Sequence, residues 1–123
     1  MLEAYSTNVA VAANAAIPFN NVTIQKGETA VLSGSQTIEL NKCGVYMVAF
    51  DGVAAAATTI TMTKDGVAQP QAQTTGTSLG FQTLVQVPKN NSCCCFSSPT
   101  LIQLIVDTAA TLTNANVVVT KIC

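Results

Sequence analysis

The sequence contains no histidine, no arginine and no tryptophan, and charged residues make up only 9% of its 123 positions. An ordinary soluble domain carries about 25%. Each shortage excludes something. Without histidine there is no imidazole general base, no Ser-His-Asp or Cys-His arrangement and no imidazole metal ligand. Five lysines without arginine, at a net charge of −1, make a poor basic patch, so neither nucleic acid nor an acidic membrane surface is an expected partner. No run reaches the roughly 18 to 20 apolar residues of a membrane helix, so no membrane insertion is expected. The N-terminus, Met1-Leu2-Glu3-Ala4-Tyr5, has no basic residue and no compact apolar stretch and does not read as a signal peptide.

What the chain has is apolar surface. Hydrophobic residues are 49% of the sequence, and mean hydropathy is +0.42. A chain this apolar and this weakly charged would be a sticky monomer. Burial against copies of itself or another protein resolves the imbalance. At 123 residues the sequence is one domain's worth, read as a single domain over 1–123.

Helix formers are scarce, and Thr, Val and Asn favour strands and turns. Short strands are expected at Asn8 to Ala13, Asn21 to Gln25, Ala30 to Leu32 and Thr37 to Leu40, with a turn at Asn41 to Gly44. Gly44 to Ala57 is the longest apolar segment. Val45, Met47 and Ala49 fall on one face, and Tyr46, Val48 and Phe50 on the other, the pattern of a central strand covered on both sides. Thr59 to Thr63 alternates with period two, and Lys64-Asp65-Gly66-Val67 is a hairpin signal. Gln71 to Ser78 reads as a polar loop. Phe81 to Val87 and Leu101 to Val106 are strands, Asp107 to Thr113 a turn region and Asn116 to Ile122 a closing strand. About eight to ten short strands in one domain predict an all-β, antiparallel two-sheet jelly-roll sandwich.

Candidate chemistry is sparse. Asp51, Asp65 and Asp107 are too scattered for a carboxylate pair. Asp51 reads as a strand-end residue facing solvent or bonded to a backbone amide, with a calcium ligand or trimer-axis carboxylate as the alternative. Asp65 reads as a turn residue. No phosphate-binding glycine loop is present, and no cofactor is expected. The five cysteines are Cys43, the run Cys93, Cys94 and Cys95, and Cys123. An odd count without a CxxC pair argues against a secreted disulfide framework. Three adjacent cysteines on a strand cannot all face one metal, because side chains alternate. They read as reduced, partly buried thiols. A disulfide from Cys43 or Cys123 to the triplet, and a metal or intersubunit cluster, remain alternatives. Nothing is present to activate them for catalysis, so no enzyme is expected.

One set of residues carries a family resemblance: Ala16-Ile17-Pro18-Phe19-Asn20-Asn21-Val22, Ile38-Glu39-Leu40, and Cys43-Gly44-Val45-Tyr46-Met47-Val48-Ala49-Phe50, followed by Asp65-Gly66 and the apolar C-terminal strand. This resembles the globular domain shared by complement heads, tumour necrosis factor ligands and the tips of bacterial collagen-like surface proteins. The likeness spans roughly Val9 to Ile122. The family's Gly-Asp turn before its penultimate long strand is absent, and Pro88 to Thr100 takes that place. The resemblance implies a ten-strand jelly roll in a compact homotrimer. Tyr46, Val48 and Phe50, with Leu104 and Val106, are then expected at the subunit interface or in the core. The expected role is a bacteriophage decoration, head-fibre or minor structural protein at the virion surface, with self and capsid or other virion proteins as partners. The alternative is a receptor- or glycan-binding tip module on a bacterial cell or spore surface.

Titration of free thiols in the native and unfolded protein checks the cysteine reading. All five cysteines are expected to react; a lower count in the unfolded, unreduced chain would reveal a disulfide.

Overall fold

A computed structural model describes residues 1–27, 30–87 and 96–122, with the backbone alone for 96–99. Nine strands follow one another: β1 (Leu2–Val11), β2 (Ala15–Ala16), β3 (Asn21–Gln25), β4 (Ala30–Ser33), β5 (Thr37–Lys42), β6 (Gly44–Lys64), β7 (Val67–Val87), β8 (Phe96–Val106) and β9 (Ala110–Lys121). There is no helix among the described residues.

β6 and β7 organise the rest. They form one long antiparallel hairpin, closed by the two residues Asp65 and Gly66 at φ 52° and 84°. These left-handed conformations match the twist of the flanking strands, and aspartate and glycine adopt them at low cost. Asp65 also ties the tip to β8: Leu101 N donates to Asp65 Oδ1 at 2.9 Å, and Asp65 N donates to the Leu101 carbonyl at 2.8 Å. Each long strand then serves two sheets. The first half of β6 lies between β9 and the second half of β7, and β1 and β3 extend that sheet. The second half of β6 lies between β8 and the first half of β7, and β5, β4 and β2 extend the other.

The crossing between sheets is made by bulges. On β6, Val53 pairs with Ser78 and Thr58 with Gly76, so four alanines oppose Thr77 alone. On β7, Thr61 pairs with Gln73 and Thr63 with Ala68, so Gln69 to Ala72 oppose Met62 alone. Extra residues on one strand bend it and increase its twist. Alanine, with no bulk beyond Cβ, lets the corner at 54–57 turn without a clash.

The two sheets enclose one apolar core. Ile17, Phe19, Ile38, Leu40, Tyr46 and Ile60 are among its fully covered side chains, with Met62, Ile102 and Leu104 beside them. Among the described residues, buried side-chain polar atoms are paired. Ser6 Oγ donates to the Pro18 carbonyl at 2.6 Å and accepts from Asn20 N at 2.8 Å, fastening β1 to the chain that leads into β3. This is the all-β jelly-roll sandwich expected from the strand pattern.

Several local expectations change. The sequence predicts short strands, yet β6 and β7 run 21 residues each. Gln71 to Ser78 is strand rather than loop. β1 begins at Leu2 rather than Asn8, and the turn expected over Asp107 to Thr113 shrinks to Asp107–Ala109. β5 continues to Lys42, so only Cys43 separates it from β6.

Leu104→Ala removes a side chain that is only 1% exposed. It is expected to cost about 2–5 kcal/mol through lost transfer energy and the cavity left behind. Chemical denaturation measures this.

Candidate assembly face

The face begins at Gly44, whose φ of 143° few other residues accept. It starts β6 directly after the bend at Cys43. Two residues on, the Tyr46 hydroxyl turns back and donates to the Lys42 carbonyl at 2.6 Å. A buried phenol needs such a partner, and this one locks the end of β5 to the start of β6. Burial pushes the Tyr46 phenol above its ordinary pKa. The nearby Cys43 adds to the rise.

From Tyr46 the strand alternates. Tyr46, Val48 and Phe50 point inward, and Phe50 packs against Phe81 with ring centroids 5.7 Å apart. Val45, Met47 and Ala49 point outward and are only half-buried. Among the described residues, the covering on both sides expected from the sequence is thus complete on one side alone.

The register carries the outward face across neighbouring strands. Met47 sits between Leu84 and Thr120, and Ala49 between Gln82 and Val118. Leu84 is 59% exposed, Val53 42% and Tyr5 36%. Gln82 Nε2 donates to Met47 Sδ at 2.8 Å. The charges that the register places on this face are the carboxylates of Glu3 and Asp51; Glu3 accepts from Thr23 Oγ1 at 2.7 Å. Asp51 is exposed in mid-strand, between Gly80 and Asn116, rather than at a strand end.

The five residues named as interface or core, Tyr46, Val48, Phe50, Leu104 and Val106, all lie between the sheets at 3% exposure or less. Their outward neighbours are what a partner would meet. Leu84 was not singled out in the sequence. Its signal is that, on its own face of the strand, it is an apolar residue flanked by Gln82 and Gln86. Cys43 is a half-buried free thiol, while Cys93, Cys94, Cys95 and Cys123 lie outside the described residues. Among the described residues no three His, Cys, Asp or Glu side chains gather as metal ligands do.

Two changes test the Tyr46 anchor. Tyr46→Phe is expected to lower stability by about 1–2 kcal/mol through loss of the bond to Lys42. The raised folded pKa means that Tyr46 contributes stability below the ordinary tyrosine pKa of about 10. That contribution is lost as pH rises through the folded value. Denaturation midpoints measured from neutral to strongly alkaline pH should therefore fall less steeply in Tyr46→Phe.

At the level of sequence no protein-family profile and no curated protein matches the chain. Solved structures do. The phage PRD1 vertex protein P5 superposes with a TM-score of 0.66 at 14% identity, over 99% of this chain and 96% of that one. Rabbit GITRL, a ligand of the tumour necrosis factor family, superposes with a TM-score of 0.64 at 9% identity, over 100% of this chain and 95% of that one. At such identities the likeness establishes the fold. The chain has the tumour necrosis factor-like jelly roll that a phage vertex protein and a mammalian ligand also carry.

Proposed function

We propose that the chain is a non-enzymatic structural protein of a phage virion, a decoration, head-fibre or minor structural protein that assembles as a homotrimer. The observation that carries this reading is the outward face of the first sheet. Val45, Met47, Ala49, Leu84 and Val118 form an apolar strip with no lysine among them. The chain exposes 6053 Å², close to the roughly 6,200 Å² of a typical monomer of its mass. On this face Leu84 is 59% and Val53 42% exposed, so folding alone leaves apolar side chains uncovered there. Identical copies packed face to face would cover it, and a stable interface needs roughly 800 Å² from each partner.

The count of three is supported by the resemblance of the Gly44-Val45-Tyr46 strand and its surroundings to trimeric domains. The virion setting is supported by the likeness to a phage vertex protein over almost the whole of both chains. The scarcity of catalytic residue types fits a structural role.

Native mass measures the assembly. A species near 38 kDa is expected, three times the chain's 12.7 kDa. Leu84→Glu combined with Met47→Glu should shift it to the monomer without unfolding the sandwich, because both side chains face outward. A monomeric wild-type protein would overturn the trimer, and absence of the chain from purified particles of its source would overturn the virion role.

A further inference from the structure

The outer face of the second sheet holds a groove of about 460 Å³, within the range of roughly 300–1,000 Å³ typical of small-molecule sites. Thr61 and Thr63 of β6 and Ile105 of β8 form its floor. The β7 bulge, with Ala68, Pro70 and Gln73, makes one wall, and Asn14 and Asp107 make the other. We infer that this groove binds a neutral saccharide, with the carboxylate of Asp107 and the side chains of Asn14, Thr61 and Gln73 meeting its hydroxyls.

The walls are held in place. Asn14 N donates to the Val106 carbonyl at 2.7 Å, and Asp107 N donates to the Thr59 carbonyl at 3.0 Å. Asp107 Oδ1 accepts from Thr59 N at 3.0 Å and lies within 3.3 Å of the Thr58 and Thr108 hydroxyls. The Thr59 amide, the strongest influence, holds this carboxyl below the ordinary aspartate pKa, with the two hydroxyls adding to the effect against some desolvation. On the opposite wall, Gln73 Nε2 donates to Thr61 Oγ1 at 3.1 Å. That bond leaves the Thr61 proton free to donate and Gln73 Oε1 free to accept. The Asn14 side chain adds an acceptor and two donors.

The ligand class follows from what converges. One anionic acceptor, several neutral donors and acceptors, and the apolar surfaces of Ile105, Pro70 and Ala68 suit a ring with a hydroxylated rim and a C–H face. An anion would meet Asp107 with no cation among the lining residues to offset it. A calcium ion needs six to eight oxygen ligands, and Asp107 is the lone carboxylate here. The groove lies on the sheet opposite the proposed assembly face, so this inference stands whether or not the chain trimerises.

Full-length ¹⁵N-labelled protein, in whatever oligomer it forms, is titrated with lactose, maltose, cellobiose and N,N′-diacetylchitobiose, and with N-acetylneuraminic acid and inorganic phosphate as anionic probes. At least one neutral disaccharide is expected to shift the amides of Thr61, Thr63, Gln73 and Asp107, with no response to the anions. Gln73→Ala should weaken that binding roughly tenfold, and Ala68→Trp, an exposed position, should abolish it by filling the groove. Thermal melts check that both variants fold; if either does not, Asn14→Gly, which suits the positive φ at that position, takes its place and should also weaken binding. Absence of shifts with all four neutral sugars, shifts that map elsewhere, binding of the anions alone, or binding undiminished in folded variants would each overturn the inference.

Discussion

A β-strand gives its side chains alternately to two faces, and a sandwich of this size can bury only one face of each sheet. That constraint shapes everything else in the molecule. Along the first half of β6 the inward residues are Tyr46, Val48 and Phe50, and two sheets close over them. The outward residues Val45, Met47 and Ala49 are apolar too, and among the described residues they stay half-buried. An ordinary soluble domain would carry polar side chains there. At about 25 cal/mol for each Å² of apolar surface withdrawn from water, covering a strip of this kind works against the entropy cost of docking.

The long hairpin is the second consequence. Because β6 and β7 each pass from one sheet to the other, a bend in either moves both sheets. The alanine corner at 54–57 and the β7 bulge between Ala68 and Gln73 set how the sheets meet. β7 pairs with β6 alone among the described residues, which leaves a 21-residue edge without a charged side chain. Uncharged edges invite further strands. Here the bulge and Pro70, which has no N–H to offer, interrupt the edge as a template.

Much of this architecture was legible in the sequence, and the misses have physical causes. Asp65-Gly66 announced its hairpin because few residues tolerate left-handed φ. The Gly44-Val45-Tyr46 pattern was readable because the glycine conformation and the tyrosine's bond to Lys42 are local requirements. Gln71 to Ser78 misled because its glutamines, threonines and glycine have turn-like composition, while its strand character comes from β6 alongside, a partner distant in sequence. The five residues named from the sequence lie in the interior, and the outward strip was hidden behind them. Periodicity divides a strand into two faces, yet only the location of the core says which one points out. Leu84, the most exposed residue of the strip, sat among glutamines where composition suggested a polar face.

The two outer faces differ in kind. The first sheet presents Val45, Met47, Leu84 and Val118. The second presents Thr59, Thr61, Gln73 and Thr75, whose hydroxyls and amides bond to one another across the strands. The same shortage of charge therefore has opposite effects on the two sides. On the apolar face it leaves the carboxylates of Glu3 and Asp51 as the strongly hydrated groups that resist burial against another copy. On the threonine and glutamine face, hydroxyls and amides keep the surface wetted, and the carboxylates of Glu39 on β5 and Asp107 at the rim are the charges beside them. A protein built this way can lose its apolar side to an assembly and still leave its neutral, hydrogen-bonding side available to whatever lies outside.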